Sequence, residues 1–177
     1  MALYLVEFPL RNASAENLFR PIEQAIAAAG AELIELQVGL DAGLLYAIAE
    51  AESPESLEAG LRERDLPFHG TSEVRLVGPS LEEVKAARGD AGYLVEWDLP
   101  NGLTMERYLT RKREKAPLYA QVPETTFLRT YVCLDMSKCL CLYDAPDEEA
   151  VLRARAAVDT PVDRVTYLEE GPIRVRA

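Results

Sequence analysis

The stretch YLVEF at residues 4–8 returns almost unchanged as YLVEW at residues 93–97, 89 positions later. Self-similarity at a fixed offset is the first thing to test in a chain, because it sets the architecture. It extends beyond the opening phrase. VGLDAGLLYAIA (38–49) resembles VCLDMSKCLCLY (132–143) at an offset of 94, and Asp65-Leu66-Pro67 aligns with Asp159-Thr160-Pro161 at the same offset. The growth of the offset from 89 to 94 is a net five-residue insertion between the first strand and the later hairpin of the second copy.

Each copy reads in the same order. Tyr4–Leu10 and Tyr93–Leu99 alternate as strands do. A helix follows, from near Ser14 through NLFRPIEQAIAAAG to Gly30 in the first copy and from about Thr104 to Tyr119 in the second, where Pro117 disturbs its end. A hairpin comes next, Ala31–Leu40 with Leu44–Ala51, and Thr126–Leu134 with Lys138–Tyr143. A second helix begins at Ser53-Pro54-Glu55 and at Pro146-Asp147-Glu148. Glu73–Val77 and Arg164–Glu169 close the units. The order β-α-β-β-α-β, twice, is the ferredoxin-like plan, an α+β fold with sheet order 4-1-3-2 and both helices on one face. The expected organisation is a unit over 1–78, a polar linker over 79–91 with one helical turn, and a second unit over 92–177.

Alternation assigns Tyr4, Val6, Phe8, Ile34, Leu36, Val38, Leu40, Tyr46 and Ile48 to the helix-covered face of the first unit. Tyr93, Val95, Trp97, Leu128, Val132, Leu134, Leu140 and Leu142 take that place in the second. The opposite face then carries Leu5, Glu7, Leu33, Leu45, Ala47 and Ala49, and in the second unit Leu94, Glu96, Arg129, Tyr131, Cys133, Cys139, Cys141 and Tyr143. Such faces are too apolar to meet water, so the two tandem units are expected to pack sheet to sheet as an intramolecular pseudo-dimer resembling a dimeric α/β barrel. Burial in a homodimer is the alternative.

Charge narrows the partners. A formal net charge of −11 repels phosphate backbones and anionic membranes, which argues against nucleic acid and membrane surfaces. No apolar run has the length of a membrane span, and the N-terminal stretch shows no signal-peptide pattern. Three cysteines within nine residues do not form a secreted disulfide framework, so the expected location is the cytoplasm.

The stretch from Tyr93 to Glu170 resembles a family of small bacterial proteins of unknown function with one ferredoxin-like domain (DUF4242-like), some described as nickel-binding. The shared marks are YLVE at 93–96, Tyr131-Val132, Cys141-x-Tyr143, Ala145-Pro146 and Pro161-x-Asp163. The first half reads as a diverged copy, with Ala47 and Ala49 in place of Cys141 and Tyr143. The resemblance implies a metal role. It also sets histidines on the second strand and second helix, where this chain has Arg129 and about Ala154, so an imidazole site does not carry over.

The residues themselves offer a candidate metal set of Cys133, Cys139, Cys141, Glu96, Tyr131 and Tyr143 on one face. Thiolates favour zinc or copper(I), and nickel accepts mixed nitrogen, oxygen and sulfur donors. The competing reading makes the cysteines small buried hydrophobes. Glu7 and Glu96 occupy matching places and read either as a coupled carboxylate pair or as rim residues paired with an arginine such as Arg129. His69, the single histidine, falls in a turn. Arg107, Arg111, Lys112, Arg113 and Lys115 read as a solvated helix face or as a patch for an anionic partner. Three functions follow: a non-catalytic small-ligand or metal-binding module with its site on the open face of the second unit, an interaction module with a dry interior, or a cofactor-poor enzyme.

Overall fold

The structure is a computed structural model that describes residues 1–11, 14–87 and 91–169. Residues 88–90 of the expected linker, and those of the second unit from 170 on, lie outside the described residues. The chain divides into two compact units. One is Met1–Val74 with 80–87 and 168–169, and the other is 75–79 with 91–167, among the described residues.

The first unit runs β1 (Ala2–Pro9), α1 (Ala15–Ala28), β2 (Glu32–Gly39), β3 (Leu44–Ala51), α2 (Pro54–Glu63) and β4 (Thr71–Val77), of which residues 75–77 count with the other unit. Its strands lie in the order β2-β3-β1-β4. Ser53 caps α2 by accepting a hydrogen bond from the Ser56 amide, with Pro54 at the first helical position. Ser14 stands at the start of α1 without a side-chain cap, and the helix continues past Pro21. The short helix α3 (Leu81–Ala86) replaces the expected single turn. Its capping box is complete, with Ser80 and Glu83 bonded reciprocally.

The second unit runs β5 (Tyr93–Asp98), α4 (Met105–Lys115), a 3-10 segment (Ala116–Gln121), β6 (Thr126–Cys133), β7 (Lys138–Asp144), α5 (Glu148–Ala157) and β8 (Arg164–Tyr167). The strand order is β6-β7-β5-β8. In both units every pairing resolved within the unit is antiparallel, and the orders correspond to the expected 4-1-3-2 plan. Pro117 converts the end of the first helix into the 3-10 segment, since it has no amide to donate. Among the described residues no helix is long and apolar enough to cross a membrane.

Register corrects the face assignment. In the first unit Tyr4 pairs with Ala49, Val6 with Ala47 and Phe8 with Leu45. Residues directly opposite each other in antiparallel strands share a face. Leu45, Ala47 and Ala49 therefore sit in the helix-covered core, while Tyr46 and Ile48 turn the other way. A bulge between Leu33 and Glu35 brings Leu33 onto the core side with Leu36 and Val38. Leu40 and Leu134, expected in the core, fall just past their strands and are exposed. The second unit shows the same inversion in β7, where Tyr143 faces Tyr93, Cys141 faces Val95 and Cys139 faces Trp97. The face turned away from the helices is also buried, at Leu5 and Ile48 in one unit and at Leu94, Tyr131, Leu140 and Leu142 in the other.

In the first unit the helices meet through Gly60. A Cβ there would stand 2.8 Å from the Ala29 Cβ and 3.0 Å from the Ala25 carbonyl oxygen, which belongs to the backbone and cannot move aside. Helix preference alone favours alanine by about 1 kcal/mol, whereas overpacking costs about 1–3 kcal/mol. Gly60→Ala is therefore expected to destabilise the chain by about 1 kcal/mol, read as a lower urea midpoint. A rise in the midpoint would show that α1 and α2 are less tightly apposed.

Candidate functional site

The six residues expected to converge divide between two faces. Cys139, Cys141 and Tyr143 lie on the helix side with Tyr93, Val95, Trp97 and Val132. Cys133 and Tyr131 alternate with Val132 and so turn the other way, as does Glu96 between Val95 and Trp97. Glu96 is buried and already neutralised, with Lys138 Nζ at 2.9 Å and Arg164 Nε at 3.0 Å. Arg164 also bonds both oxygens of Asp98, which holds the Asp98 carboxyl below its ordinary value. Burial pushes the Cys133 thiol up. His69 is exposed in its loop.

On the helix side a polar cluster is built around a residue that sequence reasoning passed over. Arg155 lies on the inner stripe of α5 with Val151, Ala154 and Val158, and is 2% exposed. Its Nη1 stands 3.5 Å from Cys141 Sγ and donates to the Tyr143 hydroxyl at 3.2 Å. Its Nη2 donates to the Pro161 carbonyl at 2.6 Å. Its Nε is buried with no hydrogen-bond partner among the described residues. The Tyr119 and Tyr143 hydroxyls are 2.7 Å apart, and burial pushes Tyr119 up to about 12.

Cys141 accepts from the Thr130 hydroxyl at 3.1 Å and lies 4.0 Å from Cys139 Sγ. The Cys139 thiol donates toward it, and the charges of Lys112 and Arg155 and the Thr130 hydroxyl add to this. Together they hold the Cys141 thiol well below the ordinary thiol value, against a burial that would raise it. Cys139 is raised in turn, first by giving its proton to that bond and then by burial.

Above Arg155 opens a pocket lined by Trp97, Tyr108, Tyr119, Ala116, Val158 and Thr160, with Arg111, Lys112 and Lys115 around them. It spans about 370 Å³, including space open to solvent. The three basic residues follow Tyr108 at helical spacings of three, four and seven, so they continue the stripe on which Tyr108 is buried. A solvated face would have put them elsewhere on the helix, and this spacing was the signal available in the sequence. Arg111 and Lys115 share the exposed Asp159 at 4.0 Å each. Lys112 Nζ lies 4.2 Å from the centre of the Phe127 ring. Among the described residues no carboxylate comes within ion-pair distance of Lys112 or Arg155.

Residues 93–167 match the family described as nickel-responsive, SCO4226-like proteins. That span is less than half of the chain. No curated protein matches it. Two solved structures are similar over nearly the whole chain. One is a candidate monooxygenase from Lactobacillus acidophilus NCFM, 10% identical with a TM-score of 0.54, covering 96% of this chain and 93% of that one. The other is a candidate chlorite dismutase, 14% identical with a TM-score of 0.54, covering 96% and 95%. At these identities the likeness shows the fold.

The donor set does not fit nickel, zinc or copper. Two sulfurs face the helices and the third faces away. Cys141 already has a guanidinium at 3.5 Å, and a metal cation there would meet that charge and Lys112. Among the described residues no three of His, Cys, Asp or Glu come together to hold a metal ion. Arg129 and Ala154, where the family resemblance sets histidines, are both buried.

A depressed thiol gives a signed pH dependence. Between the folded value and the unfolded value of about 8.5, the unfolded chain carries the extra proton, so stability rises with pH across that window. The contribution is complete above about 8.5 and is lost as pH falls through the folded value. Under reducing conditions the urea midpoint of the wild type is expected to climb with pH over this window more steeply than that of Cys141→Ser. The thiolate ultraviolet band is expected to vanish in Cys141→Ser and persist in Cys139→Ser. Equal pH slopes would show that Cys141 is an ordinary buried thiol.

Proposed function

We propose that the second unit is a non-catalytic small-ligand-binding module, acting in the cytoplasm, whose ligand enters the pocket above Arg155. The observation that carries this reading is a buried guanidinium that lines an open pocket and has no carboxylate partner among the described residues. Burying an arginine is costly even when its donors are used, and a fold does not need it. The first unit supports that statement. Where the second carries Cys139, Cys141 and Tyr143 opposite Trp97, Val95 and Tyr93, the first carries Leu45, Ala47 and Ala49 opposite Phe8, Val6 and Tyr4. The eighth residue of α2 is Leu61, fully buried, where α5 has Arg155. The same plan is therefore filled with apolar side chains in one unit and with a polar network in the other. Three free cysteines are in keeping with a reducing compartment.

The family match points to a metal-related role, and nickel is the metal to offer. Because the thiols do not converge, nickel uptake by the reduced protein is expected to be substoichiometric and unchanged in the Cys133, Cys139 and Cys141→Ser triple variant, measured by elemental analysis after desalting. Stoichiometric nickel that disappears in the variant would return the site to the cysteines. The ligand reading is tested by an NMR screen of small fragments of mixed charge against the wild type and Ala116→Phe, which narrows the pocket mouth. Fragments that bind saturably to the wild type and are lost in the variant are the expected result. No pocket binder of any charge would leave an interaction module as the better description.

A further inference from the structure

We infer that the ligand of this pocket is a small organic oxyanion, a carboxylate or phosphate group carried on an aromatic or apolar body. The inference rests on the small-ligand reading and adds charge and shape to it. The chain has a formal net charge of −11, yet the lining presents Arg111, Lys112, Lys115 and Arg155 and no acidic side chain. Among the described residues the one carboxylate within ion-pair distance of them is Asp159, whose side chain is 81% exposed and shared by two of the cations. Four cations against that one exposed carboxylate leave the pocket locally positive on an acidic protein.

A positive recess of this kind focuses anions while the rest of the surface repels them, which favours a small ligand over an extended polyanion. Guanidinium and ammonium donors together suit the oxygens of a carboxylate or phosphate. Lys112 is held over the Phe127 ring rather than against a carboxylate, so an incoming anion displaces no ion pair there. The remaining walls are aromatic and aliphatic. Trp97 and Tyr108 have ring centres 6.2 Å apart, and Ala116 and Val158 complete the apolar side. An inorganic ion would leave that surface unused, whereas a ring attached to the anionic group would cover it.

Trp97 is the sole tryptophan in the sequence and lines the pocket, so its fluorescence reports occupancy directly. The experiment titrates the full chain, at constant ionic strength, with benzoate, phenyl phosphate, inorganic phosphate and benzamide. Benzoate or phenyl phosphate is expected to change the emission saturably. Benzamide, which has the shape of benzoate without its charge, is expected to bind about tenfold more weakly, as for loss of a charge-assisted hydrogen bond. Inorganic phosphate should be weaker than phenyl phosphate. Arg111→Gln and Lys112→Gln should each weaken the anion several-fold with unchanged circular dichroism and melting; both side chains are only half-buried, so folding is not at stake as it is at Arg155. Binding of benzoate alone or phenyl phosphate alone upholds the inference and identifies the anionic group. Benzamide binding as tightly as benzoate overturns it while leaving the small-ligand reading in place. Inorganic phosphate matching phenyl phosphate overturns the apolar body, and silence from all four probes overturns the whole inference. The fragment screen then decides separately whether the small-ligand reading falls with it.

Discussion

The pairing of Tyr93 with Tyr143 across β5 and β7 is the constraint on which the candidate site depends. Directly opposed residues of an antiparallel ladder share a face, and a slip of one residue would exchange the faces of the entire strand. With this register Cys139, Cys141 and Tyr143 project beneath the helices, within reach of α4, the 3-10 segment and α5. With the alternative register Leu140 and Leu142 would take that place, and Arg155 would lose Cys141 and Tyr143 and keep the Pro161 carbonyl.

Arg155 then becomes intelligible. A guanidinium on the inner stripe of a helix is expensive unless its donors are used. Here the Cys141 sulfur, a phenol and a carbonyl use three of its hydrogen-bonding directions. The depressed Cys141 and the buried Arg155 stabilise each other, so neither is explained alone. The first unit has the same strand order and helix positions with Leu45, Ala47, Ala49 and Leu61 in the corresponding places, and its core closes without charge. The polar network of the second unit is therefore an addition to the fold rather than a requirement of it.

The family match and the side chains bear on different questions. The match covers residues 93–167 and carries a nickel-responsive description. The side chains of this chain present guanidinium and ammonium groups where a metal site would present imidazole and carboxylate. A ferredoxin-like sheet with helices on one face supports either chemistry, because the fold provides positions and the residues at those positions provide the function.

Element order, strand spans to within a few residues, helix starts at Ser53 and Asp147 and the polar character of residues 79–87 were all legible in the sequence. Each rests on a local rule: period-2 alternation, N-capping or proline geometry. The phase of β3 and β7 was not legible. In LLYAIAEA and KCLCLYD both alternating sets are apolar, so burial could not choose between them, and the bulges near Ile34 and Leu128 shifted the count on the neighbouring strands. The basic stripe of α4 was partly legible, since its spacing from Tyr108 was on the page, but its destination was not. By itself the sequence determined two rounds of the same local structure. Tertiary structure alone decided which sulfurs share a face, that Arg155 lies under them, and that three solvent-loving cations border one pocket, because each of these is set by hydrogen-bond register and helix docking between residues distant in the chain.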